Sequence, residues 1–298
     1  TFLGGQIAVM VTDFFQGIFV NAVFAVMGIF LLLFLFDWSV IMEAAAMAPA
    51  DASLINPLNT SNTDNFNVNY FLIQAFGAVY VFMAWQGNQG YYGSARSPHD
   101  ARMGRLIGQL RPITQTLPLV LLPMCAWAFL HHADFAAEAV GAHAALDAID
   151  SEQIRSQLTV TVATAHFLPP VIAGLFAAVM LAAFISTHDT YLHSWGSIFI
   201  QDVVMPVRQN VLGDSSVLKP ESHLKLLKTS IFGVAVFIFL FSLLFSQQQD
   251  ILMFFALTGT IYLGWAGAAI IGGLYWKHGT NAGAWSAAII GVILAIGG

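Results

Sequence analysis

Long apolar stretches without charged residues alternate with shorter polar connections along the chain. A transmembrane helix needs about 20 mostly apolar residues to cross roughly 30 Å of hydrocarbon. Stretches of that length predict helical cores at 12–36, 70–93, 113–131, 170–202, 229–247, 251–275 and 282–298. The pattern therefore predicts an all-α integral membrane protein with about seven transmembrane helices, in a single transmembrane domain that covers residues 1–298.

The second predicted span carries a polar interruption. Its apolar run at 70–85 is followed directly by the sequence QGNQG at 86–90. Irregular backbone at membrane depth is tolerated only where it is buried in protein or lines a cavity. We therefore expect a broken helix at this point.

The positive charges predict an orientation in the membrane. If the first span runs from inside to outside, the inner connections are 94–112, 203–228 and 276–281. They hold nine of the ten Lys and Arg residues, and only Arg155 falls in an outer loop. Cytoplasmic loops are enriched in Lys and Arg. The chain is thus expected to cross the plasma or inner membrane several times with its N-terminus in the cytoplasm.

The composition excludes a water-soluble globular class. The chain is 58% hydrophobic and only 9% charged, whereas soluble domains carry roughly a quarter charged residues. The lipid bilayer is therefore the expected environment, and the absence of a basic stripe argues against nucleic acid as a partner. No motif predicts an organic cofactor, and nothing in the sequence indicates an obligate protein partner. Because the chain starts at Thr1 and stops inside an apolar run, we expect a longer parent protein.

The outer loops are predicted at 37–69 and 132–168. The first is rich in Asn, Ser and Asp. The second is predicted to contain one short amphipathic surface helix around 134–156.

Apart from Asp202 at the very end of the span 170–202, two carboxylates fall within predicted spans. An ionisable side chain there costs about 2.5–3.5 kcal/mol on insertion scales, so it needs a partner or a purpose. Asp13 lies at the inner end of the first span, and Asp189 lies 19 residues beyond Pro170 on a helix of opposite direction. The two are therefore expected at similar depth. The alternative is that both are interfacial and solvated.

A stripe of small and hydroxyl residues surrounds Asp189. Its members, at i, i+3, i+4 and i+7, share one helix face and are Ala183, Ser186, Thr187 and Thr190. Hydroxyls, carbonyls and carboxylates are the oxygen ligands that hard cations prefer. The same stripe is also compatible with helix packing, in which each hydroxyl bonds to a carbonyl one turn back.

Four stretches of the chain resemble the sodium/solute symporters, a family that includes sugar, proline, sialic acid and pantothenate carriers. Residues 4–16 resemble the signature GG-x-x-AV-x-x-TD-x-x-Q, and residues 85–89 resemble W-x-G-N-Q. Residues 168–190 resemble LP…GL…AA-x-x-ST-x-DS, and residues 273–284 resemble GLFWK…GA. Residues 90–94, GYYGS, differ from the family's usual apolar-Q-R continuation.

The resemblance implies a leucine-transporter-like fold of two inverted five-helix repeats. The helix at 12–36 would end the first repeat, residues at about 70–275 would form the second, and 282–298 would be an extra helix. Such folds place a discontinuous helix at the midplane binding site, which here would be the broken span.

The resemblance also implies sodium ligands. The family's main sodium site would take a backbone carbonyl from Ala183 and hydroxyls from Ser186 and Thr187. Some members bind a second sodium ion. The ligands of that ion would correspond to Asp13, Ser186, Asp189 and Thr190 in this chain.

Solute contacts in the family include the amides of the broken helix, which are Asn88 and Gln89 in this chain. In the late span at 251–275, Thr258 is our candidate for a further solute contact.

The function predicted is sodium-coupled symport of a small polar organic solute, a sugar or a similar molecule, rather than an enzymatic reaction. A symporter-like sensory module of a signalling protein is the alternative. A membrane enzyme is a third hypothesis, favoured only by scattered histidines that lack a metal-binding spacing.

Overall fold

The computed structural model describes residues 4–59, 67–84, 89–213, 218–246 and 250–297. Across these ranges the regular structure is helical, without strands, which confirms the predicted all-α class. The α-helices are α1 (Gly5–Phe30), α2 (Trp38–Ala46), α3 (Val68–Ala84), α4 (Gln89–Gly93), α5 (Pro98–Gly108), α6 (Arg111–His131), α7 (Val140–Asp147), α8 (Glu152–Phe167), α9 (Pro170–Ile198), α10 (Met205–Leu212), α11 (Pro220–Leu244), α12 (Ile251–Tyr275) and α13 (Asn281–Gly297).

Each predicted span falls on an apolar helix. Within the described residues, five helical segments are long and apolar enough to cross a membrane, and they are Gly5–Leu35, Pro98–His131, Pro170–Leu212, Pro220–Leu244 and Ile251–Tyr275. Two shorter apolar helices, Val68–Val79 and Asn281–Gly297, coincide with the other two predicted spans. The chain is a multi-pass membrane protein.

Helix boundaries differ from the prediction in two places. The span expected to end at 202 passes through a π-helical turn, Phe199–Val204, and continues as α10 to Leu212. The single surface helix expected around 134–156 is wrong, because two helices, α7 and α8, occupy this loop. Ser151 begins α8 by accepting a hydrogen bond from the backbone N–H of Ile154 at 3.4 Å, which is the geometry of an N-cap.

The predicted break in the second span lies outside the described residues. Helix α3 ends at Ala84 and α4 begins at Gln89, and residues 85–88 are not described. The broken helix, the inverted repeats and the single transporter domain stay predictions.

One compact unit comprises Thr1–Gly28, Gln86–Pro118 and Pro169–Ser246. Helices α9 and α11 pack closely in this unit, because a Cβ added at Gly196 would lie only 2.6 Å from Cγ1 of Ile231. The Ser230 hydroxyl donates to the Gly196 carbonyl at 3.0 Å, and Thr114 on α6 hydrogen-bonds Asn21 on α1. Small residues and hydroxyls of this kind hold helices together in a membrane.

The second compact unit comprises Ile29–Trp85, Leu119–Leu168 and Gln247–Gly298. It contains α2, which the sequence analysis treated as loop and which buries Ile41, Ala44 and Ala45. The Trp127 indole N–H donates to the Ala44 carbonyl at 2.8 Å. This hydrogen bond joins α2 to α6.

Candidate cation site

The carboxylate of Asp13 is the centre of a polar cluster in the first compact unit. Asp13 is half-buried on α1, inside an apolar segment. The Ser186 hydroxyl donates to its Oδ1 at 2.6 Å, and the Tyr91 hydroxyl donates to its Oδ2. Thr190 Oγ1 lies 3.4 Å from the same Oδ2. Three hydroxyls thus surround one carboxylate.

Three helices supply these groups. Ser186 and Thr190 are four residues apart on α9, a separation that puts both side chains on one helix face. Pro170 begins α9, a favourable first position because its fixed φ suits a helix and its missing N–H is not needed there. Asp13 comes from α1 and Tyr91 from the short helix α4. The cluster therefore depends on contacts between distant parts of the sequence.

The Asp13 carboxylate is paired with hydroxyls rather than with a basic side chain in the part of the chain that the structure describes. Among the described residues, no basic side chain forms an ion pair with Asp13. Hydroxyl donors stabilise the ionised carboxylate, and each hydroxyl oxygen also carries lone pairs. A carboxylate among hydroxyl oxygens presents the hard ligands that Na⁺ and similar cations accept. The arrangement thus offers oxygen ligands to a small cation, provided that the hydroxyl protons facing the ion are displaced.

The main predicted sodium ligands lie together on α9. The Thr187 hydroxyl donates to the Ala183 carbonyl at 2.8 Å, so these two oxygens are neighbours. Thr187 is exposed and Ala183 is half-buried, whereas Ser186 is directed to Asp13. The contact between Thr187 and Ala183 is also the one expected of a hydroxyl that only satisfies its own helix.

Asp189 lies half-buried on α9, directly before Thr190. Adjacent residues on a helix do not face the same side. Of the predicted second-ion set, Ser186 and Thr190 are the members that the described hydrogen bonds join to Asp13.

The structure describes only part of the predicted solute-binding set. Asn88 lies outside the described residues, and Gln89 is described only as the first residue of α4. Thr258 belongs to the second compact unit, where its exposed hydroxyl donates to the Phe254 carbonyl at 2.7 Å.

A cavity of about 490 Å³ lies between α3 and α12 in the second unit. Thr258 is not among its lining residues. Most of the lining is apolar, with polar groups at Tyr70, Gln74 and Thr260; the full set is Tyr70, Ile73, Gln74, Gly77, Val81, Leu252, Phe255, Ala256, Gly259, Thr260, Leu263 and Gly264. The Thr260 hydroxyl is already bonded to the carbonyls of Ala256 and Leu257, at 2.9 and 2.6 Å.

Two residues of the first unit were missed as functional candidates. Tyr91 was noted only as a departure from the family pattern, yet it bonds Asp13. Gln16 lies one turn from Asp13 on α1, and its Oε1 is buried without a hydrogen-bond partner among the described residues. The need of an intramembrane carboxylate for donors was the signal that could have directed attention to the tyrosine beside the polar break.

The chain is similar to known proteins over nearly its whole length. The model of the sodium:solute symporter family matches residues 1–291. The sodium/proline symporter of Staphylococcus aureus is 24% identical over 99% of this chain and 52% of its own length. The sodium/pantothenate symporter of Haemophilus influenzae is 26% identical over 98% of this chain and 54% of its own length.

The chain spans about half the length of the curated relatives it matches. No solved structure matches it significantly. The family match covers nearly the whole chain and includes all three helices of the Asp13 cluster. This chain belongs to the sodium:solute symporter family.

Proposed function

We propose that the protein containing this chain is a sodium symporter that uses the sodium gradient to take up a small polar organic solute across the cell membrane. The observation that carries the proposal is the Asp13 cluster, in which a carboxylate on α1 meets hydroxyls from α4 and α9, with α1 and α9 both in apolar segments. A charge in that setting is costly, so its presence indicates a functional role.

In this proposal, sodium binds to oxygen ligands on α9. The main ion is held by the Ala183 carbonyl and the hydroxyls of Ser186 and Thr187. The 2.8 Å separation of the Ala183 and Thr187 oxygens supports this, since one ion can contact two oxygens so close together. The hydroxyl proton of Thr187 would have to rotate away from the ion, which costs one hydrogen bond.

A second ion is proposed at Asp13 with Ser186, Asp189 and Thr190. The 2.6 Å contact between Ser186 and Asp13 supports this set more directly than the first. Ser186 belongs to both sets, so occupancy of one would alter the other. An ion beside Asp13 also neutralises the carboxylate.

The solute is proposed to be small and polar, a sugar or a similar molecule, with contacts at Asn88, Gln89 and Thr258. The relatives named above carry proline and pantothenate in their names, and these two compounds are the first to test. If sodium and solute both bind the same conformation more tightly than the alternative one, each raises the affinity of the protein for the other by the same factor. That reciprocity is what converts a sodium gradient into solute accumulation.

The test is transport by the protein expressed from its complete reading frame and reconstituted in vesicles. Radioactive proline and pantothenate are offered with sodium outside, with equal sodium on both sides, or with choline. We expect accumulation of one compound only under the inward sodium gradient, and its loss in Asp13→Asn. Asp37→Asn, which changes an exposed carboxylate outside the helices, serves as the matched control. Uptake that ignores the sodium gradient would contradict the proposal.

A further inference from the structure

We propose that Tyr91 links occupancy of the cation site to the position of α4, the short helix that begins at the predicted solute residue Gln89. In this inference the Tyr91 hydroxyl holds the Asp13 carboxylate when no cation is there, and sodium at Asp13 displaces it. The inference rests on the proposed function, because it requires that Asp13 binds sodium.

The hydrogen bonds of Tyr91 define a directed chain. A phenol has one proton, and Tyr91 gives it to Asp13. At the 2.9 Å contact with Thr190, the Tyr91 oxygen must therefore accept, and Thr190 must donate. The 3.4 Å contact from Thr190 to Asp13 is then the weaker of the two hydrogen bonds that the Thr190 hydroxyl donates. The Tyr91 proton consequently points toward the carboxylate, and the Thr190 proton points mainly toward the Tyr91 oxygen.

A cation at Asp13 is incompatible with this proton arrangement. Sodium needs the lone pairs of its ligands, and the Tyr91 proton occupies the space before Oδ2 where the ion would contact the carboxylate. Thr190 and Ser186 can rotate their hydroxyls and present lone pairs from the same helix. Tyr91 is attached to another helix, so loss of its bond to Asp13 releases α4 from α1.

Helix α4 is suited to respond because it is short. It has five residues, far below the roughly 12–15 at which an isolated helix is even marginally stable in water. Its position therefore depends on contacts made by its side chains. Tyr91 binds Asp13, whereas the neighbouring Tyr92 places its ring 5.6 Å from the Arg105 guanidinium on α5. Removing the first contact leaves the second as an anchor.

The consequence concerns the solute residues. Gln89 begins α4, two positions before Tyr91, and Asn88 precedes it. A shift of α4 on sodium binding would move the backbone of Gln89. Tyr91 is thus a positioning residue that acts through α4, in addition to its direct competition with the ion.

Sodium binding tests the competition without knowledge of the solute. Tyr91→Phe removes only the hydroxyl, and Tyr92→Phe is the matched control on the same helix. The protein from the complete reading frame is purified, and binding of radioactive sodium is measured. Because a hydrogen bond to a charged group no longer opposes the ion, we expect Tyr91→Phe to bind sodium more tightly, by about tenfold or more. Tyr92→Phe should bind like the unaltered protein.

Movement of α4 is followed with a cysteine at its end. A Cβ at Gly93 would meet no atom within 4 Å, so Gly93→Cys is sterically tolerated, and Cys125 is fully buried. The rate of thiol labelling is compared in sodium and in choline. We expect sodium to change the rate about twofold or more when Tyr91 is present. In Tyr91→Phe the two rates should be equal.

The outcomes separate the inference from the function it rests on. An unaltered protein that binds no sodium overturns both. Sodium binding that is equal or weaker in Tyr91→Phe, or an unchanged sodium effect on labelling, overturns the inference alone. If Tyr91→Phe fails to fold, Asp13→Asn with Gly93→Cys replaces it. A labelling rate that still responds to sodium without the Asp13 charge then overturns the proposed link.

Discussion

The Ser186 hydroxyl lies 2.6 Å from Oδ1 of Asp13, although 173 positions separate the two residues in the sequence. Such a distance is typical of a strong hydroxyl–carboxylate hydrogen bond. It joins α1 to α9 at a polar contact inside two apolar segments. The contact is the structural basis for most of what we expect of this protein.

Loss of the α9 hydroxyls should weaken sodium binding. We expect Ser186→Ala combined with Thr187→Ala to raise the sodium dissociation constant about tenfold or more, because a lost hydrogen-bonding partner of a charge costs roughly 1.5–3 kcal/mol. Binding of radioactive sodium measures the change. Ser242→Ala is the control, since that hydroxyl bonds only to the Ile238 carbonyl on its own helix. Equal affinities in the variant and the control would exclude these hydroxyls as ligands.

The predicted orientation can be tested by labelling intact cells with an impermeant thiol reagent. Gly108→Cys lies in the predicted inner connection 94–112, and a Cβ there meets no atom within 4 Å. Val140→Cys lies in the predicted outer loop 132–168, at a side chain that is 65% exposed. We expect labelling at position 140 only, and labelling at both after the cells are opened. The reverse pattern would invert the topology.

Close packing of α9 on α11 should make Gly196 sensitive to substitution. In Gly196→Ala the new methyl group would lie 2.6 Å from Ile231 Cγ1 and 3.0 Å from its backbone. Overpacking of this kind costs about 1–3 kcal/mol, so the melting temperature in detergent should fall. Gly233→Ala on α11 is the control, because its Cβ meets nothing within 4 Å. Identical melting of the two variants would contradict this packing.

The amides near the predicted break should contact the solute. At saturating sodium, we expect Asn88→Ala and Gln89→Ala to raise the half-saturating concentration of the transported solute, with normal abundance in the membrane. If the amides instead repair the backbone of a broken helix, abundance and thermal stability should fall while affinity is retained. Transport kinetics together with quantitative blotting distinguish these results. Unchanged affinity in well-folded variants would direct the search to Thr258.

The sequence determined the helical, membrane-spanning class because that class depends on local properties. Every predicted span is a run of apolar residues, and only a helix satisfies its backbone hydrogen bonds within one such run. The stripe from Ala183 to Thr190 was readable for the same reason, since its spacing follows from helix periodicity alone. The sequence did not reveal α2, whose helix is fixed by the burial of Ile41 and by a hydrogen bond from Trp127, far along the chain.

The tertiary structure decided which polar groups meet, beyond the pairing of Asp13 with α9 that the family resemblance implied. Asp13 and Ser186 each showed a polar side chain in an apolar setting, but the pattern along the chain does not say which helix faces of α1, α4 and α9 are in contact. The family resemblance paired Asp13 with α9. The hydrogen bond from Tyr91 to Asp13 could not be predicted from the local sequence, because a tyrosine beside a break can equally face lipid or solvent. Its role follows from the packing of α4, a helix too short to be positioned by its own sequence.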